Sequence, residues 1–191
     1  MQELLIDRRS EIKNVAQNLF REKGYAGTTV RDIARGMKME AASLYNHIKS
    51  KEEILHEICF GMADEFFAGL NTISKNLPAQ KKIELAITNH IHVVLKNPDA
   101  SNAFFHEWIY MKEDNLRKFK VLRSNYEKKF RNILEEGMEK KVFSGRDIKL
   151  TIFTLFSAMN ALHELQHHLK SKEEEEIIES FTEILLKGIL K

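Results

Sequence analysis

The sequence contains few residues that interrupt helices, with two prolines and eight glycines among its 191 residues. Both types are disfavoured in helix interiors, so their scarcity favours an all-α fold. The single cysteine, Cys59, excludes an internal disulfide framework. No apolar run reaches the roughly 18 residues that a membrane span requires, and the first residues lack the pattern of a secretory signal. We therefore expect a cytoplasmic protein without a membrane partner.

The net charge of +2 is unevenly distributed along the chain. Between Arg8 and Lys51, ten Lys and Arg residues stand against four Asp and Glu residues, so this segment carries +6 and the remainder −4. A basic end on an otherwise acidic chain is typical of a protein that binds nucleic acid. A solvated basic face is a common alternative explanation, so the charge pattern needs the support of a motif.

Apolar residues recur at helical spacing near the start of the chain. The stripe from Ile12 to Phe20 predicts a first helix, which Gly24 is expected to end in a left-handed conformation. Thr28 and Thr29 offer N-cap hydroxyls to a second helix. A short third helix is predicted over residues 40–47.

The same spacing continues to the end of the chain. Ser50 and Glu53 form a capping box that is expected to begin a long fourth helix. Alternating strand patterns and internal repeats do not occur. We predict an all-α fold of about nine helices, with a three-helix domain over residues 1–50 and a helical domain over residues 51–191.

The second and third predicted helices are joined by a tight turn, which is the pattern of a helix-turn-helix. The third helix begins with the small residues Ala41, Ala42 and Ser43, and such a slim face can enter a DNA major groove about 12 Å wide. A chance cluster of three helices would show a similar pattern. Residues that can hold phosphates surround this helix; they are Thr28, Thr29, Tyr45, His47 and Lys51.

Many residues between positions 9 and 55 recur at the spacing of a known family. They are Ile12, Ala16, Leu19-Phe20, Gly24-Tyr25, Thr28-Thr29-Val30, Asp32-Ile33-Ala34 and Ser43-Leu44-Tyr45-Asn46-His47-Ile48-Lys49-Ser50-Lys51-Glu52. In these positions the chain resembles the DNA-binding domain of the TetR family of transcriptional regulators. The remainder fits the family through its length and helical character.

The resemblance implies a role for individual residues of the helix-turn-helix. The residues expected to hold the DNA backbone are Thr29, Tyr45, His47 and Lys51. The residues expected to lie nearest the base edges are Arg31, Ala41, Ala42, Ser43 and Asn46.

Two residues of the turn depart from the family pattern. Lys38 replaces a glycine and must adopt a turn conformation that costs a residue with a side chain about 1 kcal/mol. Glu40 replaces a capping serine, and its carboxylate is expected to lower non-specific affinity for DNA. These departures bear on operator affinity rather than on the fold.

In the family, the last two helices form a four-helix bundle with those of a second subunit, so the resemblance implies a homodimer. The alternative is that their apolar residues form an intramolecular core. The residues expected to supply the interface are Leu155, Phe156, Met159, Leu162, Phe181, Ile184, Leu185 and Ile189.

Aromatic residues with a few polar groups are concentrated in the helices between these two regions. Such a set suits a mostly apolar ligand, although each member can also be plain core. The set comprises Phe66, Phe67, His90, Phe104, Phe105, Trp108, Met111, Tyr126 and Phe130. The stretch from residue 155 to residue 162 also faintly resembles regulators of fatty-acid and acyl-CoA metabolism in the same family.

A different function is suggested by residues 163–167, which match the H-E-x-x-H pattern of zinc metalloproteases. A catalytic zinc needs a third protein ligand, and no extension of the motif supplies one. An incidental metal site at His163 and His167 is a second alternative. We expect polar positions on an interface helix, with no metal, no cofactor and no catalytic residue.

These observations predict a homodimeric repressor that binds a palindromic DNA operator and leaves it when a small, mostly apolar ligand binds. Two alternatives stay open. One is a regulator without a small-molecule inducer, and the other is a zinc-dependent hydrolase that uses residues 163–167.

Overall fold

The structure is a computed structural model that describes residues 8–144, 147–165 and 172–190. These residues form nine α-helices and no strand, as predicted, apart from one isolated bridge between Phe143 and Leu190. The helices are α1 (Arg8–Gly27), α2 (Val30–Gly36), α3 (Ala41–Leu44), α4 (Lys51–Asn71), α5 (Ala79–Lys96), α6 (Pro98–Asn102), α7 (Glu113–Glu139), α8 (Ile148–Leu165) and α9 (Glu174–Ile189).

Between α6 and α7 the chain makes a π-helical turn over Ala103–Glu107 and a 3₁₀ turn over Trp108–Tyr110. The sequence predicted a plain helix through Trp108, so this segment is less regular than expected. In the part of the chain that the structure describes, no helix combines the length and apolarity of a membrane-spanning segment.

The chain folds into two compact units. The division differs from the predicted boundary after residue 50. It falls after Met62, within α4, and the later segment Asp99–Phe119 joins the N-terminal helices. The first unit comprises Met1–Met62 and Asp99–Phe119, and the second comprises Ala63–Pro98 and Lys120–Lys191.

The first unit is built on the predicted stripe of α1, whose Ile12, Ala16 and Phe20 are buried. Gly24 does adopt a left-handed φ of 72°, but it kinks the helix, which continues to Gly27. The segment Asp99–Phe119 is fixed to α1 by an ion pair between Arg21 and Asp99, at 2.7 Å. Sequence reasoning missed this pairing because the two residues are far apart in the chain.

The second unit is formed around α5, which packs against α8 and α9. Leu155, Met159, Leu162 and Ile189 are buried in this core. Their prediction as dimer-interface residues is therefore wrong, because they pack inside one protomer. The apolar side chains of α8 and α9 that remain exposed are Leu150, Phe153, Leu165 and Ile184.

Gly137 on α7 allows the closest packing in the second unit. A Cβ atom at this position would lie 2.1 Å from the ring of Phe143, which is itself buried. Gly61 on α4 offers a matched comparison, because a Cβ there meets nothing within 4 Å.

We expect Gly137→Ala to lower the free energy of unfolding by about 1–3 kcal/mol, because the ring of Phe143 must move. Gly61→Ala should raise it by about 0.5–1 kcal/mol, since alanine favours the helix. Urea denaturation of both variants measures the difference. Equal effects at the two positions would contradict the close contact.

Candidate nucleic-acid interface and sensor core

The start of α2 is fixed by a complete capping box. The Thr29 hydroxyl accepts from the backbone N–H of Asp32 at 3.1 Å, and the Asp32 carboxylate accepts from the Thr29 N–H at 2.9 Å. The Thr29 hydroxyl also donates to this carboxylate at 2.6 Å, and these bonds lower the pKa of Asp32. Thr29 is exposed as predicted, on a rigid helix start.

Thr28 does not belong to the DNA-facing surface. Its side chain is 1% exposed, and its hydroxyl donates to the carbonyls of Leu19 and Gly24. Its predicted contribution to phosphate binding is therefore corrected. The threonine closes the turn between α1 and α2 instead.

The recognition helix α3 is shorter than predicted. Its N-cap, Glu40, makes no side-chain capping bond. Lys38, for which the sequence predicted a costly turn conformation, adopts a left-handed φ of 53°. Leu44 and Ile48 are buried and hold the helix on the unit. The predicted residues on its outer side are exposed or half-buried; they are Ala41, Ala42, Ser43, Tyr45, Asn46 and His47.

Arg9 fixes the turn that follows the recognition helix, a role that the sequence did not reveal. Its guanidinium donates to the carbonyl of His47 at 2.9 Å, to Glu53 at 2.6 Å and to Glu57. Glu53 accepts at the same time from the backbone N–H of Lys49 at 2.5 Å. That bond, with the contribution of Arg9, lowers the pKa of Glu53. One guanidinium thereby joins α1 and α4 to the turn that follows α3.

Lys51 is engaged inside the first unit. Its ammonium donates to the carbonyls of Tyr25 and Thr28, both at 2.6 Å, and lies 4.0 Å from the centre of the Tyr25 ring. Burial lowers the pKa of Lys51. Because an ammonium has three N–H donors, one donor is left for a DNA phosphate.

The predicted ligand-contacting residues are divided between the two units. In the first unit, Trp108 packs at 5.8 Å from Phe119, and its indole N–H donates to the carbonyl of Phe105 at 3.2 Å. Phe104 contacts both Phe105 and Phe119. These side chains build the packed interior of the segment that joins the N-terminal helices.

The second unit contains the remaining members, which we call the His90 cluster. His90 stacks on Phe66, with ring centres 4.5 Å apart. Further aromatic rings surround it, two of them nearly perpendicular to the imidazole. Phe156, which the sequence placed at the dimer interface, belongs to this cluster instead. The members are Phe66, Phe67, His90, Tyr126, Phe130 and Phe156.

His90 is the polar centre of the cluster. It is 2% exposed, and burial lowers its pKa to about 3, so its imidazole is neutral at physiological pH. One ring nitrogen lies 3.2 Å from the Tyr126 hydroxyl and the other 3.1 Å from the Asn160 amide oxygen. An amide oxygen only accepts, so the nitrogen facing it carries the proton and the other accepts from Tyr126. Asn160 was not predicted, because its partner is distant in sequence.

The H-E-x-x-H pattern lies partly outside the described residues, which end at Leu165 and resume at residue 172. His163 is described, and its Nδ1 lies 2.6 Å from the carbonyl of Asn160 on its own helix. His167 lies outside the described residues, so the pairing of the two histidines stays untested.

Two family models match the chain. One describes bacterial regulatory proteins of the tetR family and matches residues 12–58. The other describes tetracyclin repressor-like C-terminal domains and matches residues 76–189, which is more than half of the chain.

Individual proteins show the same likeness. The HTH-type transcriptional repressor KstR2 of Rhodococcus jostii is 35% identical over 97 residues, which are 50% of this chain and 46% of that repressor. The chain thus spans less than half of the length of this curated relative.

Solved structures extend the likeness to nearly the whole chain. KstR2 of Mycobacterium tuberculosis, a ketosteroid transcriptional regulator, has a TM-score of 0.87 at 21% identity, covering 98% of this chain and 97% of that one. AibR, solved with isovaleryl coenzyme A and operator DNA, has a TM-score of 0.78 at 17% identity, covering 94% and 98%. At these identities the likeness concerns the fold.

Proposed function

Because the chain belongs to the TetR family of bacterial regulatory proteins, we propose that it is a homodimeric transcriptional repressor. It binds a palindromic operator through α3 of each subunit and leaves the operator when a small, mostly apolar ligand binds. The single observation that carries this proposal is the exposed, small-sided α3 held on a buried frame.

The exposed side chains of α3 suit the major groove. Ala42 and Ser43 are small enough to let the helix backbone approach base edges, and Asn46 can pair with a base through its amide. Arg31 is exposed as well and can reach a base edge, while the exposed Thr29 and Tyr45 can contact phosphates. Basic residues on the same unit add the sequence-independent attraction that DNA binding requires.

Selection from a pool of genomic fragments by the purified protein tests the function directly. We expect enrichment of a palindrome whose half-sites lie about one DNA turn apart, 34–36 Å. Recovery of all fragments in proportion to their length would contradict a sequence-specific repressor.

We expect Ser43→Ala and Tyr45→Phe to affect operator binding differently. Ser43→Ala should change the preference at one base pair by about 1–3 kcal/mol. Tyr45→Phe should weaken binding to all duplexes alike, because it removes a phosphate contact. Fluorescence anisotropy on the operator and on single-base variants separates the two effects. If both variants lose affinity uniformly, α3 does not read the bases.

Dimerisation is supported by the apolar side chains that α8 and α9 leave exposed. Phe153 on α8 is 70% exposed and Ile184 on α9 is 67% exposed. A groove of about 610 Å³ lies between the two helices and is lined by Leu150, Leu185 and Gly188 among others. Several large apolar side chains exposed on neighbouring helices are typical of a protein interface. A second copy of the same surface is the proposed occupant.

The His90 cluster is the proposed receptor for the ligand. Its aromatic rings favour an apolar body, and the neutral His90 with Tyr126 and Asn160 can exchange its internal hydrogen bonds for bonds to one polar group of the ligand. A carbonyl or hydroxyl fits this chemistry. Fatty acids and acyl-CoA thioesters are therefore the ligands to test first, and AibR, which was solved with an acyl-CoA, supports the choice.

We expect the double variant His90→Phe/Tyr126→Phe to fold and bind the operator but to lose release by the ligand. Replacing both partners by apolar rings leaves few buried groups unpaired, so the loss of stability should stay within about 1–3 kcal/mol. Operator anisotropy during titration with isovaleryl-CoA, palmitoyl-CoA and palmitate measures the release. A ligand that releases wild type and double variant at the same concentration would exclude the cluster as its receptor.

A further inference from the structure

A half-open groove in the second unit is formed by the end of α4, the segment that follows it, the start of α5 and the C-terminal half of α7. Its volume is about 290 Å³. Three lysines, Lys75, Lys82 and Lys129, line it, together with amides from Asn71 and Asn132. These side chains come from three separate parts of the chain, so the fold brings together ammonium groups that lie far apart in the sequence.

The one carboxylate among the lining residues, Glu136, is already neutralised. It accepts from Lys140 at 2.7 Å and from Lys82 at 2.8 Å, and these bonds lower its pKa. Lys129 donates to the uncharged amide oxygen of Asn71 at 3.2 Å. Within the described residues, neither Lys75 nor Lys129 takes part in an ion pair. The groove therefore keeps an excess of positive charge.

From these contacts we propose that the groove binds the phosphate groups of a small phosphate ester. Lysine ammoniums are compact charges that bind phosphate oxygens well, and the neighbouring amide and hydroxyl groups supply further donors. Leu70, Ile73 and Ile133 form an apolar wall beside them, which suits the organic part of an ester. The proposal does not rest on the repressor function, because the groove lies in the second unit and the proposed DNA contacts lie in the first.

Calorimetric titration of the full chain with coenzyme A and with inorganic pyrophosphate tests the site. We expect saturable binding that Lys75→Gln and Lys129→Gln each weaken by about three- to tenfold, as for the loss of one partly exposed charged contact. Lys128→Gln is the matched control, because this exposed lysine of α7 does not line the groove. Lys82 is left intact, since its removal would leave Glu136 with one partner fewer.

The two probes identify the source of the phosphate. Equal affinity for both supports a site that reads the phosphate alone, and tighter binding of coenzyme A supports one that also reads the attached organic group. Absence of saturable binding by either probe overturns the proposal. So does binding that all three lysine variants weaken equally, since it would then reflect a general attraction to exposed lysines rather than a site in the groove. Binding of laurate in place of the phosphates would likewise overturn it.

Discussion

Phe153→Glu is expected to convert the proposed dimer into monomers and to abolish measurable operator binding. The side chain is 70% exposed in the single protomer, so the variant should fold as the wild type does. In a dimer the new carboxylate would be buried without a partner, at a cost of several kcal/mol. A monomer holds one half-site only and loses the gain from joining two binding modules.

Sedimentation velocity and operator anisotropy, measured on the same preparation, test this prediction. Ile184→Glu on α9 should have the same effect on both measurements, because Ile184 is exposed and lines the groove between α8 and α9. Val121→Glu is the matched control, since Val121 is an exposed apolar residue on a different helix, α7, and does not line the groove between α8 and α9. A Phe153→Glu protein that stays dimeric would place the interface elsewhere.

Lys51→Met should destabilise the first unit and weaken operator binding. Methionine keeps the length of the side chain but leaves the carbonyls of Tyr25 and Thr28 without the ammonium donor. Bonds to a charged group contribute about 1.5–3 kcal/mol, so a loss of that order in unfolding free energy is expected. The start of α2, which carries Thr29, then loses its support.

The salt dependence separates this structural role from a phosphate contact. If Lys51 binds DNA directly, the slope of log affinity against log salt should fall by about 1 per subunit. If it acts on the carbonyls alone, the slope stays that of the wild type. Lys49→Met is the control, because Lys49 is exposed and uses its backbone rather than its ammonium in the bonds described above. Lys51→Met with wild-type stability would contradict the structural role.

Local rules predicted the first unit well. The Thr29 cap, the buried stripe of α1 and the left-handed Lys38 depend on residues within one or two helical turns, which is the range that sequence patterns describe. The backbone N–H of Glu53 donates to the Ser50 hydroxyl as the capping box requires, although the Glu53 carboxylate accepts from Lys49 and Arg9 instead. The prediction that Thr28 contacts phosphate was wrong because two adjacent threonines carry the same hydroxyl group in the sequence. Only the structure shows that Thr28 is buried and Thr29 exposed.

The second unit was harder to predict because α8 is apolar on more than one side. Leu155 and Met159 lie on one face and Leu150 and Phe153 on another, so helical periodicity identifies two stripes without saying which one meets the protomer's own core. The bonds of His90 to Tyr126 and Asn160 join residues 36 and 70 positions apart. No spacing rule spans such distances.

The burial of His90 has a consequence for the cell in which the regulator works. A histidine with an ordinary pKa near 6.5 becomes charged as the pH falls below that value. A receptor built on such a histidine would respond to acid as well as to its effector. The pKa of about 3 for His90 removes that ambiguity. In the proposed sensor, the imidazole of His90 therefore stays neutral throughout the physiological pH range, and its bonds to Tyr126 and Asn160 do not depend on pH there.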